Sequence, residues 1–479
     1  MRRAATRAAA CLTASLLLAA GARADGEPDW DAVREATAAL LSGYIQIDTQ
    51  NAPGNETRGA RFIAEFLEGH GIPSRIYEAV PGRGNLCARL PATRPDGRGP
   101  ILLLHHIDVV PVDPEAWSFP PLSGAVRDGF VYGRGAIDDK GHGAIHLMAF
   151  ALLSADPAPR ARDIVLCGTA AEETRGENVG VDWLLANHPR ALGPPVGVWN
   201  EGGGALRVPA LGDRTIAAIA VSEKRGLWIR LVAEGEGGHG SQPILDSANR
   251  RLVRALERID RYATPRRMPG PVSETLRRVS VALDFPLNWL ARLSRWPPFL
   301  QLAGPWIDDV PLANGFIRDT IAITGLTSGF KHNVIPRRAE ATLDVRLLPE
   351  TDPEVFLAAL RRVIDDPAVK IVLPGESPGK LPPSPWDHEL FRAIEQEVAR
   401  EFPDALTLPV MMPAGTDSKF FRERGIPAYG FIPAILDTEL TSAIHGLDER
   451  VPVAGLETGV RVTLRTLQRL VAPSGGSAD

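Results

Sequence analysis

The chain has 479 residues, enough for two or more domains with a sizeable core, and its apolar and charged fractions are ordinary for a soluble globular enzyme. Its formal net charge is −5, and because the first 24 residues contain four arginines and no acidic residue, the remainder stands at −9. This acidic balance, without any run rich in lysine and arginine, argues against nucleic-acid binding.

The first 24 residues have the pattern of a secretory signal. A basic start is followed by an apolar segment at 8–20 and an A-x-A cleavage site at 22–24. The apolar segment is too short to serve as a membrane anchor, and no integral membrane segment is expected in the mature chain. We therefore predict a signal peptide over 1–24 and a secreted or periplasmic protein. The mature chain would keep Cys87 and Cys167, whose pairing the sequence leaves open.

The predicted elements after the signal begin with two amphipathic helices and then alternate. In chain order they are helix 30–44, helix 57–70, strand 101–106, strand 131–133, helix 141–154, strand 163–167, helix 179–187 and strand 196–199. Such alternation predicts an α/β fold with a mostly parallel central sheet and helices on both faces.

From about Thr215 the pattern changes to strands of the antiparallel type, with one helix among them. We interpret 215–349 as an inserted α+β domain. The α/β pattern then resumes with helices at 353–365 and 388–402, a strand at 428–432 and a terminal helix at 453–471. The catalytic domain would thus comprise 25–214 and 350–479.

Within the insertion, residues 275–316 are unusually rich in tryptophan, phenylalanine, leucine and proline. The favoured interpretation is that this segment packs on the inserted domain. The functional alternatives are an apolar wall for a greasy substrate, or a contact with a membrane or a partner.

Polar side chains follow the apolar runs of the predicted sheet, as HHID, AIDD, AAEE and WNEGG. Open α/β sheets bind ligands at the carboxyl ends of their strands, so these residues are expected at one rim. His106 and Asp108 are two apart, so on a strand both side chains leave the same face. One can then bind a metal while the other orients the imidazole.

Five residues of this kind suit a site for two metal ions: His106, Asp138, Glu173, Glu201 and His445. Imidazole and carboxylate are the ligands of catalytic zinc, and paired metals need a shared ligand. Asp138 is the candidate for that ligand, because a carboxylate has two oxygens. Glu172, next to Glu173, is the candidate general base.

Together these motifs resemble the co-catalytic zinc exopeptidases and deacylases, which include glutamate carboxypeptidase, aminoacylase and succinyl-diaminopimelate desuccinylase. The resemblance spans 30–471, nearly the whole mature chain. It is carried by HHID at 105–108, GRGAIDDKG at 133–141, the pair Glu172-Glu173, NEGG at 200–203 and HGLDE at 445–449. The stretch WSFPPLSGAVRDGFVYGRGAIDDKG is most similar to the carboxypeptidase S and N-acyl-amino-acid hydrolase branch.

The resemblance implies a role for each matching residue. His106 and Glu201 would hold one Zn²⁺ and Glu173 and His445 the other, with Asp138 bridging. Asp108 would orient His106, and Glu172 would shuttle the proton. In the inserted domain His239 would donate to the oxyanion. The predicted contacts to the substrate carboxylate are Asn333, Arg346, Gly415 and Thr416. Co²⁺ or Mn²⁺ are conceivable substitutes for zinc.

The resemblance also implies a zinc-exopeptidase catalytic domain and a ferredoxin-like lid that forms homodimers in some relatives. Two positions depart from the family pattern, Ala171 and Asn200, where many members have aspartate. Neither removes a ligand or the base, but both alter the surroundings of the metal ligands. A binding module on an inactive scaffold is disfavoured, because every ligand and the base are retained.

We therefore predict metal-dependent hydrolysis of an amide bond next to a free carboxylate. The first choice is a di-zinc metallo-carboxypeptidase acting on small peptides. The alternative is an N-acyl-amino-acid hydrolase or a dipeptidase, since all three reactions present an amide beside a carboxylate.

Overall fold

The structure is a computed structural model that describes residues 27–174, 176–208, 214–294, 296, 298–308, 311–375 and 379–473. The predicted signal peptide lies outside these residues. Within the described part of the chain, no helix combines the length and apolar character needed to cross a bilayer.

The helices of the described residues, numbered in chain order, are α1 (Trp30–Ile45), α2 (Glu56–Gly69), α3 (Lys140–Ala155), α4 (Val181–Asn187), α5 (Pro189–Leu192), α6 (Ala248–Asp260), α7 (Gly270–Val279), α8 (Leu287–Leu293), α9 (Phe299–Asp308), α10 (Pro311–Ile317), α11 (Pro353–Ile364), α12 (Glu389–Glu401), α13 (Ser418–Arg422), α14 (Thr438–Ser442) and α15 (Val453–Val471). A single 3₁₀ turn, Ser280–Ala282, follows α7.

The strands are β1 (Ser74–Glu78), β2 (Gly84–Leu90), β3 (Ile101–His106), β4 (Ala125–Arg127), β5 (Phe130–Tyr132), β6 (Ile164–Thr169), β7 (Gly197–Val208), β8 (Arg214–Glu223), β9 (Arg225–Glu234), β10 (Gly238–His239), β11 (Thr320–Ser328), β12 (Val334–Ile335), β13 (Arg338–Leu347), β14 (Val369–Val372), β15 (Leu406–Met412), β16 (Ala428–Leu436) and β17 (Arg450–Pro452).

The first of two compact units holds the described residues up to Val221, then Ser384–Val410 and those from Thr416 onward. Its eight-stranded sheet has the order β1-β2-β6-β3-β7-β16-β8-β15. The central pairings β6–β3, β3–β7 and β7–β16 are parallel. The pairings β1–β2, β2–β6, β7–β8 and β16–β8 are antiparallel. The α/β class is confirmed, but the sheet is mixed, with its parallel part at the centre.

Strand β3 shows why the sequence ILLLHH contains no alternation of apolar and polar residues. All six of its residues are buried. Ile101 and Leu103 belong to one hydrophobic core, whereas Leu102 and Leu104 belong to another. Helices α1, α3 and α15 contribute to the first core and α4 and α5 to the second. The sheet is therefore covered on both faces, as the sequence predicts.

The two remaining cysteines of the described chain form a disulfide. Cys87 on β2 and Cys167 on β6 occupy directly opposite positions, with Cα atoms 4.2 Å apart. The sequence leaves this pairing open because 80 residues separate them. The antiparallel pairing of β2 with β6 brings them together.

The second unit comprises Ser222–Pro383 and Met411–Gly415. Its antiparallel sheet has the order β11-β13-β9-β14, and α6 and α11 pack with it around a core of its own. Burial alternates along β13, as expected of a strand with one face on a core. This is an α+β arrangement.

The predicted limits of the insertion, 215–349, need correction at both ends. β8 starts at Arg214 but pairs with β7 and β16, so the second unit begins only at Ser222. At the other end, β14 pairs with β9, and Phe356 and Leu360 of α11 lie in the second core. The unit therefore extends to Pro383. Local periodicity predicts β8 and α11, but it cannot say which of the two units each element joins.

Candidate metal centre

His106 ends β3 at the rim of the first sheet and is 2% exposed. Its Nδ1–H is positioned to donate to the backbone carbonyl of Asp108, at 2.9 Å, and the Asp108 carboxylate lies 3.5 Å from the same nitrogen. This arrangement leaves the Nε2 lone pair free for a metal ion. The nearest Asp108 oxygen to the imidazole is thus the main-chain oxygen.

The Asp108 carboxylate also accepts hydrogen bonds from a neighbouring loop, which the sequence does not predict. It accepts the backbone N–H groups of Glu172 and Glu173, each at 3.2 Å. Asn51 donates to it as well, at 3.0 Å, and also to Thr174 at 2.9 Å. Asp108 therefore anchors the loop that carries both glutamates.

Asp138 faces a different histidine with each of its two oxygens. Oδ1 lies 2.9 Å from His106 Nε2, and Oδ2 lies 3.1 Å from His445 Nε2. Glu201 is 3.9 Å from His106, and Glu173 is 3.0 Å from His445. The donor atoms of His106, Asp138 and Glu201 lie within 4.8 Å of one another, as do those of Asp138, Glu173 and His445. Asp138 is common to both groups.

These separations fit two divalent cations. Two ligands about 2.0–2.2 Å from a tetrahedral zinc ion lie roughly 3.3–3.6 Å apart, and the observed donor distances of 2.9–3.9 Å bracket this range. Burial raises the pKa values of Glu172 and Glu201 well above the usual range of a glutamate, and it also raises the pKa of Glu173. Asp138 and Glu173 raise the pKa of His445 to about 10. Several half-buried carboxylates crowded around two imidazoles form an arrangement that bound cations would stabilise.

Glu449 holds the Asp138 loop in place. It is fully buried; Oε1 accepts the N–H groups of Ile137 (2.7 Å) and Asp138 (3.1 Å), and Oε2 accepts that of Gly135 (3.0 Å). Arg134 completes the cluster with a 2.7 Å ion pair to Oε2. The motif HGLDE contains Glu449, but nothing in the sequence identifies these partners.

We expect Glu449→Gln to weaken metal binding by about 10–100-fold, the usual effect of losing a group that supports metal ligands. The glutamine amide retains one acceptor oxygen, but its NH₂ group replaces the second oxygen and faces hydrogen-bond donors that this oxygen accepted from. Titration with a competing chelator measures the change. Glu439→Gln is the matched control, since Glu439 is exposed and pairs with Arg450. An unchanged metal affinity in Glu449→Gln would contradict this role.

Asp417 is a second buried carboxylate absent from the predicted site. Thr169 donates to it at 3.3 Å. Burial raises its pKa to about 6, and its charge contributes to the raised pKa of Glu172. Its position in the sequence GTDS, directly after Thr416, is the signal that could have indicated it.

The other predicted residues are placed as follows. His239 is exposed, with Nδ1 2.7 Å from the Ser241 hydroxyl. The pairing of β10 with β12 makes it a neighbour of Asn333, whose carbonyl accepts the Gly240 N–H at 2.8 Å. These residues belong to the second unit, and their role in substrate binding stays a prediction.

Arg346 and the Gly415-Thr416 pair show contacts of their own. Both guanidinium contacts of Arg346 go to the Asp344 carboxylate, at 2.9 Å each. Gly415 ends the second unit and Thr416 resumes the first. The Thr416 hydroxyl accepts the Ser418 N–H at 3.1 Å at the start of α13. Their predicted contacts with a substrate carboxylate remain predictions.

An α/β sheet whose rim carries two groups of donor side chains with a shared carboxylate is the arrangement expected of a metal-dependent hydrolase. The model of Peptidase family M20/M25/M40 matches residues 102–469, and the chain belongs to this family. The resemblance identified from the motifs is confirmed, and with it the prediction of an enzyme.

The relatives include proteins of both predicted kinds. The chain is 33% identical to the human N-fatty-acyl-amino acid synthase/hydrolase PM20D1 over 77% of this chain and 74% of that protein. It is 29% identical to the probable carboxypeptidase S-like 2 of Dictyostelium discoideum, over 74% and 68%. The M20 family metallo-carboxypeptidase Sso-CP2 of Sulfolobus solfataricus has the same fold, with a TM-score of 0.64 at 20% identity over 90% of this chain and 98% of that one.

Proposed function

We propose that the protein hydrolyses the amide bond of N-acyl amino acids, releasing a carboxylic acid and a free amino acid. The observation that carries the reaction class is the sharing of Asp138 between two donor groups, with the half-buried Glu172 alongside. The substrate class is supported by the identity to the human N-fatty-acyl-amino acid synthase/hydrolase. The proposal thus prefers the N-acyl-amino-acid hydrolase, the alternative predicted from the sequence, to the carboxypeptidase, the first choice predicted from it.

Two divalent cations, for which we propose zinc, would polarise the amide carbonyl and lower the pKa of a water molecule. The first would be held by His106, Asp138 and Glu201, and the second by Asp138, Glu173 and His445. The Glu172 carboxylate takes a proton from the attacking water while the oxygen of that water bonds to the carbonyl carbon. It returns this proton to the leaving nitrogen as the carbon–nitrogen bond breaks.

The placement of Glu172 supports this role. Its N–H is held by Asp108, so its backbone is fixed relative to β3. Its charge interacts with His106 and Glu201, which places it within electrostatic range of the donor set. A general base needs a fixed position close to the water that it deprotonates.

A substrate panel tests the proposal. The zinc-loaded protein is incubated with N-acyl amino acids of increasing acyl-chain length, with N-blocked dipeptides, and with the carboxamide of each compound. The products are identified by mass spectrometry. We expect cleavage of long-chain N-acyl amino acids, with the carboxamides resistant because they lack the free carboxylate. Equal cleavage of a carboxylate and its carboxamide would contradict the proposal.

A carboxypeptidase acting on small peptides is the second candidate, favoured by the similarity to the carboxypeptidase S-like relative. In the same panel it would cleave N-blocked dipeptides faster than any fatty-acyl amino acid. The hydrolysis rates measured on this panel therefore distinguish the N-acyl-amino-acid hydrolase from the carboxypeptidase.

We further propose that the protein is exported and cleaved after Ala24. Disulfides persist mainly in oxidising compartments, and the Cys87–Cys167 bond supports export. The N-terminal sequence of the mature protein tests this, since a chain that keeps residues 1–24 would contradict it.

A further inference from the structure

The segment WSFPP (117–121) belongs to the stretch that is most similar to the carboxypeptidase S branch, yet the proposed reaction gives it no role. Trp117 is buried although most of its neighbours in the loop are exposed. Its indole packs over the Arg134 guanidinium, whose carbon lies 5.2 Å from the ring centre. Phe119 packs edge-on against Tyr132 of β5, with ring centres 4.9 Å apart. The two aromatic side chains thus fix this segment on the first unit.

Ser118, between the two aromatic residues, donates twice to one distant carboxylate. Its backbone N–H lies 3.0 Å from Asp448 Oδ1, and its hydroxyl lies 2.7 Å from Asp448 Oδ2. A carboxylate that accepts one hydrogen bond on each oxygen is fixed in orientation as well as in position. Asp448 follows three residues after His445, which belongs to the second donor group. The contact therefore reaches the loop that carries a metal-binding histidine.

The backbone of this histidine loop needs support. Its φ angle is +59° at His445 and +56° at Asp448, in the left-handed region that residues other than glycine seldom adopt. Such conformations persist only where the surroundings hold them. The His445 side chain is 51% exposed, so packing around the imidazole contributes little. Contacts on the neighbouring residues of the loop must therefore hold the imidazole in place.

Arg134 is one of these contacts, but it also has a second role. It donates to the Gly446 carbonyl at 2.9 Å and pairs with Glu449 at 2.7 Å. Through Glu449 it supports the loop of the bridging ligand, which both cations would share. The Ser118 contact lies at the other end of the histidine loop, so it can affect one cation without the other.

We propose that Ser118 is a positioning residue for the second cation, because by fixing Asp448 it holds His445 where the imidazole can bind that ion. His445 Nε2 lies 3.0 Å from Glu173 and 3.1 Å from Asp138, and a shift of the loop would change both distances. Groups that orient metal ligands commonly set metal affinity in this way. The inference rests on the proposed pair of cations and not on the proposed substrate class.

The test is a titration of the metal-free protein with Zn²⁺ against a competing chelator, which reports the affinity of each binding step without any substrate. We expect Asp448→Ala to weaken one of the two steps about tenfold or more. Ser118→Ala should weaken the same step about threefold, since the backbone N–H of residue 118 remains. The double variant should equal Asp448→Ala, because the contact is already lost there. The other step should stay within about twofold of wild type.

Two variants serve as matched controls. Asp448→Asn should bind both ions like wild type, since asparagine tolerates the left-handed backbone and its amide can donate to the Ser118 hydroxyl, which also accepts. Glu115→Gln changes an exposed side chain of the same loop and should have no effect. Circular dichroism and thermal unfolding check that each variant folds.

A His445→Ala background shows whether the effect passes through this histidine. The second donor group has already lost its imidazole there, so adding Asp448→Ala should leave the affinity for the remaining ion unchanged. A further loss of affinity would mean that the contact supports the whole rim, and it would overturn the positioning role.

Two further results would contradict the inference, and they have different meanings. Wild-type affinity for both ions in Asp448→Ala would overturn the role of Ser118 alone. A wild-type protein that binds no more than one ion would overturn the proposed pair of cations, and this inference with it. Because no hydrolysis is measured, failure of the proposed substrate class would leave the titration unaffected.

Discussion

Glu172→Gln should lower the turnover of the metal-loaded enzyme by about 10²–10⁴-fold, the usual contribution of a general acid–base group. Glutamine has the same shape but cannot take a proton from water or return one to the leaving nitrogen. The backbone N–H that Asp108 accepts is unchanged, so the loop should keep its position. Turnover is measured on the best substrate of the panel, together with metal content.

The substitution Glu173→Gln is the control that distinguishes the role of Glu173 in metal binding from the role of Glu172 in proton transfer. Glu173 lies 3.0 Å from His445 and belongs to a donor group, so its variant should lose one of two metal ions. Glu172→Gln should retain both. Near-normal turnover in Glu172→Gln would show that another group moves the proton.

Asp138→Ala should reduce the affinity for both metal ions, by about 100-fold or more, because each donor group loses one oxygen. Activity at limiting metal should fall by about a thousandfold or more, since the ions supply several kcal/mol of the rate enhancement. Metal content after dialysis and calorimetric titration measure the effect.

His445→Ala supplies the contrast for this experiment. It removes a donor from one group only and should leave the His106 group with its metal ion. Loss of one ion in Asp138→Ala, with the other bound at wild-type affinity, would show that Asp138 does not bridge. Thermal unfolding of both variants checks that the first unit remains folded.

The elements of the first unit follow from local patterns in the sequence. The run ILLLHH predicts a strand buried on both faces, and the two-residue spacing of His106 and Asp108 places them together at its end. Helical periodicity identifies α1, α3 and α15. These patterns are visible because each depends on residues that are close in the chain.

The pairings between distant segments depend on the tertiary structure. Cys87 meets Cys167 because β2 pairs with β6, and β8 joins the first sheet although its sequence suits the second. Glu449 supports the Asp138 loop across a separation of 311 residues. No local pattern encodes such contacts, since their energy comes from groups that only folding brings together.

The sequence by itself determined the family, the residues that can donate to metal ions and the alternation of helices and strands, because each is recorded in residue type and short-range spacing. Only the tertiary structure decided that Asp138 presents one oxygen to each histidine, that the sheet is mixed, and that Leu287, Trp289 and Leu290 of α8 are exposed. Those features depend on the direction of side chains and strands, which the packing of distant segments sets.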